Sequence, residues 1–291
     1  MSRFADTHVH TNASSCGSIA PRELLARAAD AELDCIVITD HNTTRGALAV
    51  LEQQATEPRF LDIEVVVGIE LMTEYGEIAV IYLDGDDAVE VEALRNADGH
   101  FELERIITEV AELRARGKQP LLGLVHPFSS GPRGAFRFGD YLRDAAPAHA
   151  ADDDSGRYVD VDWWLDTVGV PAGERNEFDN SAVAAVFDLM RSVDFVEVFN
   201  GANFLPAENR KAAALARIFK KPGTCGSDAH FVSAVGSCRT EYFGASLREA
   251  ILAHETKPVP GRLTYPKAVL YRTASGLRKH VWKRLPIVGK D

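Results

Sequence analysis

The sequence predicts an α/β protein in which short strands alternate with amphipathic helices. Apolar runs rich in β-branched residues recur along the chain, and stretches with helical spacing separate them. Alternation of this kind is typical of repeated strand–helix units around a parallel sheet. A chain of 291 residues is long enough to form one barrel, or one domain that carries an insertion.

Eight strands and six helices are expected. The strands are predicted near residues 3–9, 34–39, 64–69, 77–83, 120–125, 194–199, 223–227 and 239–243, and the helices near 21–33, 43–56, 101–117, 180–192, 207–220 and 246–254. The first helix has a clear beginning, because Pro21 suits a first helical position and residues 22–29 favour a helix. The second helix follows Asn42, Thr43 and Thr44, whose side-chain oxygens can cap it.

The alternation is interrupted between residues 129 and 179. Loops of this length usually carry a function or have structure of their own. We therefore expect a cap inserted between the fifth and sixth strands. Trp163 and Trp164 are expected to bury this cap, in preference to stacking on a substrate base. The predicted organisation is a barrel over residues 1–255, the cap over 129–179 within it, and a basic tail over 256–291.

Charge and composition narrow the classes of function. A net charge of −11 argues against broad binding to a nucleic-acid backbone, although bound cations would still allow a small phosphorylated substrate. We find no signal pattern, no apolar run that could span a bilayer and no paired cysteine spacing, so we expect a cytoplasmic protein. The basic residues from Lys267 onward predict a surface helix, with contact to an anionic substrate or lipid as the alternative.

Histidines and acidic residues follow several predicted strands at the point where each strand ends. They are His8, His10, Asp40, His41, Glu70, His126, Asp228 and His230. Imidazole and carboxylate groups are the usual ligands of zinc, manganese and iron. Since the C-terminal ends of barrel strands meet at one mouth, these residues are predicted to form a single site for several ions.

Six segments of the chain resemble the polymerase and histidinol phosphatase (PHP) superfamily of metal-dependent phosphoesterases. In that family's order they are Asp6-Thr7-His8-Val9-His10-Thr11, Ile38-Thr39-Asp40-His41-Asn42-Thr43, Gly68-Ile69-Glu70, Val125-His126-Pro127-Phe128, Val196-Glu197-Val198-Phe199-Asn200 and Gly226-Ser227-Asp228-Ala229-His230. The resemblance implies a distorted seven-stranded (β/α) barrel with two or three divalent ions at its C-terminal face. The later part of the chain is most similar to the PHP-associated branch.

The resemblance also implies how the ligands are shared among the ions. Glu70 would bridge ions, and Asp228 would join His8 and His10 on the first of them. His126 would hold the second ion. The third would be held by His41 and His230.

Two positions depart from the family pattern. A histidine that is usual on the strand after Glu70 is absent, and Glu77 is the only substitute there. Cys16 stands where an aspartate ligand is usual. Two interpretations of Cys16 stay open: a thiolate ligand, which favours softer metals such as zinc, or a small buried residue beside a weak or absent third ion.

Other residues near the expected mouth are assigned to orientation or to substrate binding. Asp40 is expected to orient a ligand imidazole, with proton transfer during turnover as the alternative. Glu197 and Asn200 either order the loop after the sixth strand or bond to substrate or to His126. Guanidinium groups pair well with phosphate. The candidates for that role are Arg133, Arg137 and Arg239.

These observations lead to one principal hypothesis and two alternatives. We expect metal-bound hydroxide to hydrolyse a small phosphomonoester, such as a nucleotide or nucleoside bisphosphate, with His230 or Asp228 protonating the leaving oxygen. The alternatives are a phosphodiesterase or nuclease acting on short oligonucleotides, and a non-catalytic metal-binding regulatory protein. The expected ions are manganese, zinc or iron. Long nucleic acids are not expected as partners, and no membrane span is expected.

Overall fold

The computed structural model describes residues 2–130, 134–149, 161–203 and 205–261 of the chain. In this part of the chain nine strands form one sheet. They are β1 (Arg3–Val9), β2 (Cys35–Ile38), β3 (Glu64–Thr73), β4 (Gly76–Ile81), β5 (Leu121–Leu124), β6 (Phe195–Asn200), β7 (Gly223–Gly226), β8 (Arg239–Tyr242) and β9 (Thr256–Val259). The eight predicted strands are all present, and β9 is an addition to them.

Nine α-helices and three short 3₁₀ helices lie in the same ranges. The α-helices are α1 (Pro21–Asp30), α2 (Arg45–Thr56), α3 (Gly85–Ala93), α4 (Leu103–Ala115), α5 (Phe138–His149), α6 (Val161–Thr167), α7 (Asn180–Ser192), α8 (Pro206–Ile218) and α9 (Leu247–Leu252), and the 3₁₀ helices are Pro58–Phe60, Ala172–Glu177 and Val232–Ala234. The six predicted helices correspond to α1, α2, α4, α7, α8 and α9. Within the described ranges, none of the helices combines the length and the apolar character that a membrane crossing requires.

The sheet is mixed, whereas the alternation of elements predicted a parallel one. Its strand order is β7-β6-β5-β4-β3-β2-β1-β8-β9. β1, β2 and β3 are parallel to one another, as are β5, β6 and β7, but β4 is antiparallel to both of its neighbours. Only Glu74 and Tyr75 separate β3 from β4. A connection that short permits a hairpin and excludes a parallel crossover.

The segment that follows β7 pairs with β1, and this contact nearly closes the sheet into a barrel. The backbone N–H of Asp228 donates to the carbonyl of His8, and that of His10 donates to the carbonyl of Ala229, each at 2.9 Å. The segment that follows β7 therefore pairs with the end of β1. The predicted α/β barrel is confirmed in this form. The predicted count of seven strands is not confirmed, because β8 and β9 extend the sheet from β1 to nine strands.

Both faces of the central strands are buried. In β2, Ile36 and Ile38 belong to the large apolar cluster that includes Leu24 of α1 and Val50 of α2. Cys35 and Val37 belong to a second cluster with residues of β1, β3, β4, β5 and β6. Burial of alternate side chains on both faces is expected for a barrel strand covered by helices.

Part of the predicted cap is described, and it contains α5 and α6. α5 packs against α7, and the hydroxyl of Tyr141 donates to the carbonyl of Ala185 at 3.1 Å. Trp164 is buried against the rings of Phe187 and Phe219, whereas Trp163 is half exposed. The predicted tail begins with β9, and residues 262–291 lie outside the described residues.

Gly46 allows α2 to begin against the turn that follows β1. A Cβ atom at Gly46 would lie 1.9 Å from Oδ2 of Asp40 and 2.1 Å from Oγ1 of Thr11. These two oxygens are hydrogen-bonded to each other at 2.6 Å and are buried. Glycine is therefore required at this contact, because any side chain would separate the bonded pair.

We predict that Gly46→Ala lowers the free energy of unfolding by about 1–3 kcal/mol, since it overpacks a closed contact. Gly85→Ala is the matched control, because Gly85 also lies in the first turn of a helix and a Cβ there would meet nothing within 4 Å. The control is expected to change stability by less than about 1 kcal/mol. Urea unfolding of the three proteins measures the difference, and equal values for both variants would contradict this account.

Candidate metal centre

The predicted ligands come together at the C-terminal ends of the strands. His8 lies near the end of β1, Glu70 within β3, His126 two residues after β5, and Asp228 two residues after β7. The side chains of His8 and Glu70 have no exposed surface, and His126 is buried. Five of the six segments that carry the PHP resemblance therefore contribute to one pocket, and the sixth, with Glu197, lies directly behind it.

The carboxylate of Glu70 occupies the middle of this pocket. Its Oε1 lies 2.7 Å from Nε2 of His126 and 3.5 Å from Nε2 of His8. Its Oε2 lies 2.9 Å from Nδ1 of His41 and 3.5 Å from Nε2 of His10. A carboxylate whose two oxygens face different pairs of imidazoles has the geometry of a ligand shared between two ions.

Asp228, in the segment that follows β7, faces His8 and His10 of the same pocket. Its Oδ1 lies 3.2 Å from Nε2 of His10 and 3.7 Å from Nε2 of His8. The ring of His230 stacks on that of His10 with centroids 4.3 Å apart. The set His8, His10 and Asp228 predicted for a first ion is thus assembled.

The facing atoms fit cations better than they fit one another. Nε2 of His8 and Nε2 of His10 are 3.1 Å apart, and when each ring carries its proton on Nδ1 these two atoms are acceptors that face each other. Oε2 of Glu70 is buried without a hydrogen bond of acceptable geometry. Atoms of this kind are satisfied when their lone pairs point to a shared ion. Among the described residues, the groups whose ligand atoms lie within 4.8 Å of one another are His10–His41–His230, His8–His126–Glu197, His8–His10–Asp228 and His41–Glu70–Glu77.

The Nδ1 atoms of His126 and His8, which face away from the pocket, have hydrogen-bond partners. Nδ1 of His126 lies 2.9 Å from the carbonyl of Gly134, and Nδ1 of His8 lies 3.1 Å from Oε1 of Glu197. Oε2 of Glu197 accepts the backbone N–H of His126 and the amide of Asn200, both at 2.9 Å. Protons on these Nδ1 atoms leave both Nε2 lone pairs facing the pocket, an arrangement common in metal sites. Glu197 and Asn200 are buried behind the ligands.

Glu77 belongs to the pocket and was not among the predicted ligands. It is buried, its Oε1 lies 3.3 Å from Nδ1 of His41, and its Oε2 lies 3.8 Å from Nε2 of His126. The signal for it in the sequence is the missing family histidine on the strand after Glu70. The antiparallel direction of β4 delivers the side chain of Glu77 to the mouth.

Asp40 supports the turn after β1 and does not contact the ring of His41. Its oxygens accept from the backbone N–H of Thr11 at 2.8 Å and from the hydroxyl of Ser14 at 2.6 Å. Oγ of Ser14 also accepts the backbone N–H of His41 and lies 3.4 Å from Nδ1 of His10. Asp40 therefore reaches a ligand imidazole through Ser14. Sequence reasoning did not assign Ser14, whose role depends on the path of the turn.

Three residues that follow strands at the mouth have left-handed backbone conformations. They are Asn42, His126 and Asp228, with φ of 56°, 26° and 51°. Such values are uncommon for residues other than glycine and cluster at functional sites. The bends turn the chain sharply after β2, β5 and β7.

The acidic groups differ in their affinity for protons. Burial alone would raise the pKa of Glu70, but the neighbouring His8 and His41 hold it well below its usual range. Asp228 is likewise buried, and His8 with other histidines lowers its pKa. Burial and the charge of Glu70 raise the pKa of Glu77 to about 7. Glu70 and Asp228 are thus ionised at neutral pH, whereas Glu77 titrates there.

The histidines also differ in pKa. Burial opposes the charge of His126, but its hydrogen bond to Glu70 raises the pKa to about 9. Burial likewise opposes the charge of His230, and a hydrogen bond to Cys16 together with the charge of Asp228 raises its pKa to about 9. In contrast, burial and the charges of two neighbouring histidines lower the pKa of His10 to about 3.

Cys16 lies at the open side of the pocket, beside His41 and His230. Burial would raise the pKa of its thiol, but hydrogen bonds to His230 and His41 lower it to about 6. The thiolate form is the one that binds metals. Cys16 therefore lies next to two of the histidines predicted for a third ion, and these histidines favour the thiolate form of its side chain.

The predicted phosphate-binding arginines have different surroundings. Arg137 donates to the carbonyl of Glu74 and pairs with Asp140 at 2.7 Å. Arg239 donates to the carbonyl of Ala31, which precedes β2, so its guanidinium points away from the mouth. Arg133 lies outside the described residues.

Comparisons with known proteins agree with this geometry. The PHP domain family matches residues 6–147, and the family described as PHP-associated matches residues 206–256. A stretch of 92 residues is 37% identical to the uncharacterised protein MJ1587 of Methanocaldococcus jannaschii. That match covers 28% of the chain and 52% of the relative, so the chain spans about half the length of this curated protein.

Two solved structures were superposed on the chain. PsfC from Pseudomonas syringae PB-5123 gives a TM-score of 0.52 at 21% identity, over 97% of this chain and 99% of PsfC, and at this identity the likeness concerns the fold alone. An amidohydrolase from Chromobacterium violaceum, solved with bound sulfate and no metal, gives a lower TM-score of 0.40 at 18% identity, over 92% and 96% of the two chains.

The PHP match and the clustered ligands together support a metal-dependent hydrolase. The chain therefore contains a PHP domain followed by a PHP-associated region, and the resemblance inferred from its sequence is confirmed.

We predict that metal affinity rises with pH from about 6 to about 9, by roughly tenfold per pH unit for each proton displaced. In the ion-free protein Glu77 is protonated below about pH 7, and His126 and His230 are protonated below about pH 9. Each must lose its proton to bind an ion, so acid opposes binding. Competition with a zinc chelator at several pH values measures the slope.

Calorimetry in buffers with different ionisation enthalpies counts the protons released by zinc. Glu77→Gln removes the group that titrates near pH 7, so this variant should release fewer protons at that pH. An affinity that does not change with pH, after correction for the chelator, would contradict the prediction.

Proposed function

We propose that the chain hydrolyses a phosphoester, and that its substrate class is a small phosphomonoester such as a nucleotide. The observation that carries the proposal is the carboxylate of Glu70 with four imidazole nitrogens within 3.5 Å, opposite the carboxylate of Asp228. Two or three divalent ions, manganese, zinc or iron, suit this set of nitrogen and oxygen donors.

The ligands divide into three sets that share Glu70. His8, His10 and Asp228 would hold the first ion, His126 with Glu77 the second, and His41, His230 and Cys16 the third. When bound, such ions lower the pKa of a coordinated water and offset charge on phosphoryl oxygens.

The surrounding protein residues would hold the ligands in place and supply a proton. Glu197 and Asn200 are buried, so we assign them to holding His8 and His126 and not to substrate contact. Asp40 is buried with both oxygens bonded to Thr11 and Ser14, so we assign it to positioning.

Protonation of the leaving oxygen is assigned to His230 in the two-ion form of the site. Its Nδ1 lies 2.9 Å from the carbonyl of Asp228, and with a proton there Nε2 remains available to the pocket. With a pKa of about 9, His230 holds a proton at neutral pH. The carboxyl of Asp228 has its pKa lowered by its neighbours, so it has no proton to give.

A screen of phosphate monoesters with manganese, zinc and iron tests the reaction. We predict that His126→Ala lowers kcat/KM by roughly 100-fold or more, because removing a ligand takes away several kcal/mol of charge stabilisation. His100→Ala is the matched control, since His100 is exposed and outside the pocket. Protein shown to contain metal but inactive on every ester would contradict the proposed function.

Cobalt tests Cys16 separately from catalysis. We predict that cobalt added to the ion-free protein produces a sulfur-to-cobalt charge-transfer band in the near ultraviolet, because a thiolate is a metal ligand. Cys16→Ser should lose this band and bind less cobalt per chain, as measured by elemental analysis. The same absorption spectrum in both proteins would show that Cys16 is not a ligand.

A further inference from the structure

A cavity of about 450 Å³ lies beside the metal centre, between the mouth of the barrel and the inserted segment. Its walls include Pro127, which follows His126, and Ala135, which follows the Gly134 that accepts from His126. This volume is within the range of sites that bind small molecules. The cavity therefore begins next to His126 along the chain at Pro127, and at Ala135 it borders the residue whose carbonyl bonds to the ring of His126.

Gly134 keeps the space above the ligands clear. A Cβ atom at this position would lie 3.2 Å from Oε2 of Glu77 and 3.4 Å from Cε1 of His126. The chain here thus approaches the ligands with backbone alone. A group bound in the cavity can then be adjacent to one bound at the ions.

The apolar part of the cavity is flat and aromatic. The rings of Phe128 and Phe138 are nearly parallel, with centroids 5.7 Å apart and an interplanar angle of 22°, and Phe136 meets Phe138 edge-on at 4.8 Å. All three rings line the cavity, but Phe136 and Phe138 are buried, so the half-buried Phe128 presents the aromatic surface. A partly exposed aromatic ring of this kind favours a planar ring as ligand, which gains both apolar contact and aromatic stacking.

The charged groups of the cavity leave one cation without an acidic partner. Arg137 and Arg143 pair with Asp140, and Arg143 also pairs with Glu174. Among the described residues no carboxylate lies within 4 Å of Nζ of Lys211, which is 5.8 Å from the ring of Phe128. An exposed ammonium beside an aromatic wall is suited to an anionic substituent on a bound ring.

The remaining carboxylate of the cavity does not neutralise Lys211. Glu208 is buried, its Oε1 accepts the backbone N–H of Ser130 at 2.7 Å, and its Oε2 accepts that of Leu205 at 3.1 Å. Both oxygens therefore have backbone partners, and within the described residues Glu208 forms no ion pair with Lys211.

We propose that this cavity binds the leaving group of the phosphoester, and that the leaving group is a planar aromatic ring with an anionic substituent held by Lys211. The inference rests on the proposed function for the position of the phosphate, but the binding of the ring can be measured without any reaction. Phe128 would provide the surface on which the ring stacks. Lys211 would then determine specificity without touching the reacting atoms.

The test uses the full chain and three probes: 4-hydroxybenzoate, which has ring and anion, phenol, which has the ring alone, and acetate, which has the anion alone. Calorimetry and saturation-transfer NMR measure their binding. Lys211→Gln should weaken 4-hydroxybenzoate about fivefold and phenol by less than about twofold, as expected for a partly exposed ion pair. Phe128→Leu should weaken both aromatic probes about tenfold through lost stacking.

Arg210→Gln is the matched control for Lys211, because it removes a positive charge from the adjacent position of α8 that does not line the cavity. Equal binding of 4-hydroxybenzoate by Lys211→Gln and Arg210→Gln would overturn the proposal, as would acetate binding as tightly as 4-hydroxybenzoate. Circular dichroism is the check that Phe128→Leu is folded. Lys211→Gln tests the proposal independently of that variant.

Hydrolysis of 4-carboxyphenyl phosphate and phenyl phosphate then separates the two proposals. Lys211→Gln should raise KM for the first ester about fivefold and leave kcat unchanged, because a partly exposed charge pair contributes to binding alone. Selective probe binding without hydrolysis of any ester would overturn the proposed function and support the cavity. Hydrolysis with the same KM for both esters in every variant would support the function and overturn the cavity.

Discussion

The candidate site depends on one buried carboxylate. Glu70 has no exposure to water, and an ionised carboxylate in that position is stable only when it is paired. The imidazoles of His8, His41 and His126 supply that pairing, and they come from β1 and from the segments that follow β2 and β5. The barrel is the structure that brings these segments to one place.

The ligands could be predicted from the sequence because each lies at a change from apolar to polar residues. His126 follows Leu121-Leu122-Gly123-Leu124-Val125, and Asp228 follows a short strand that ends in Gly226. Strand ends in a barrel share one mouth, so the grouping of these residues follows from the positions of the strands. The described structure brings together His8, His10, His41, Glu70, His126, Asp228 and His230.

Other features could not be predicted, because they depend on the direction of strands and the path of loops. The residues of β4 are compatible with a parallel or an antiparallel strand. The composition of this run therefore does not predict that Glu77 lies at the mouth. The contact from Asp40 through Ser14 to His10 depends on how the turn after β1 folds back. α5, which contains Pro147, lies in the segment for which the sequence predicted a cap without assigning its helices.

The closure of the barrel has a consequence for the stability of the molecule. The segment that follows β7 pairs with β1, and this contact is the seam at which the barrel closes. Across the seam the backbone N–H of Ser227 donates to Asp6, which lies 221 positions away in the chain. Of the first ligand set, His8 and His10 lie on one side of this seam and Asp228 lies on the other. An ion bound there would join the two sides of the seam, and because it would bind the folded chain it would add to the free energy of unfolding. The supply of metal and the stability of the closed barrel would then be coupled.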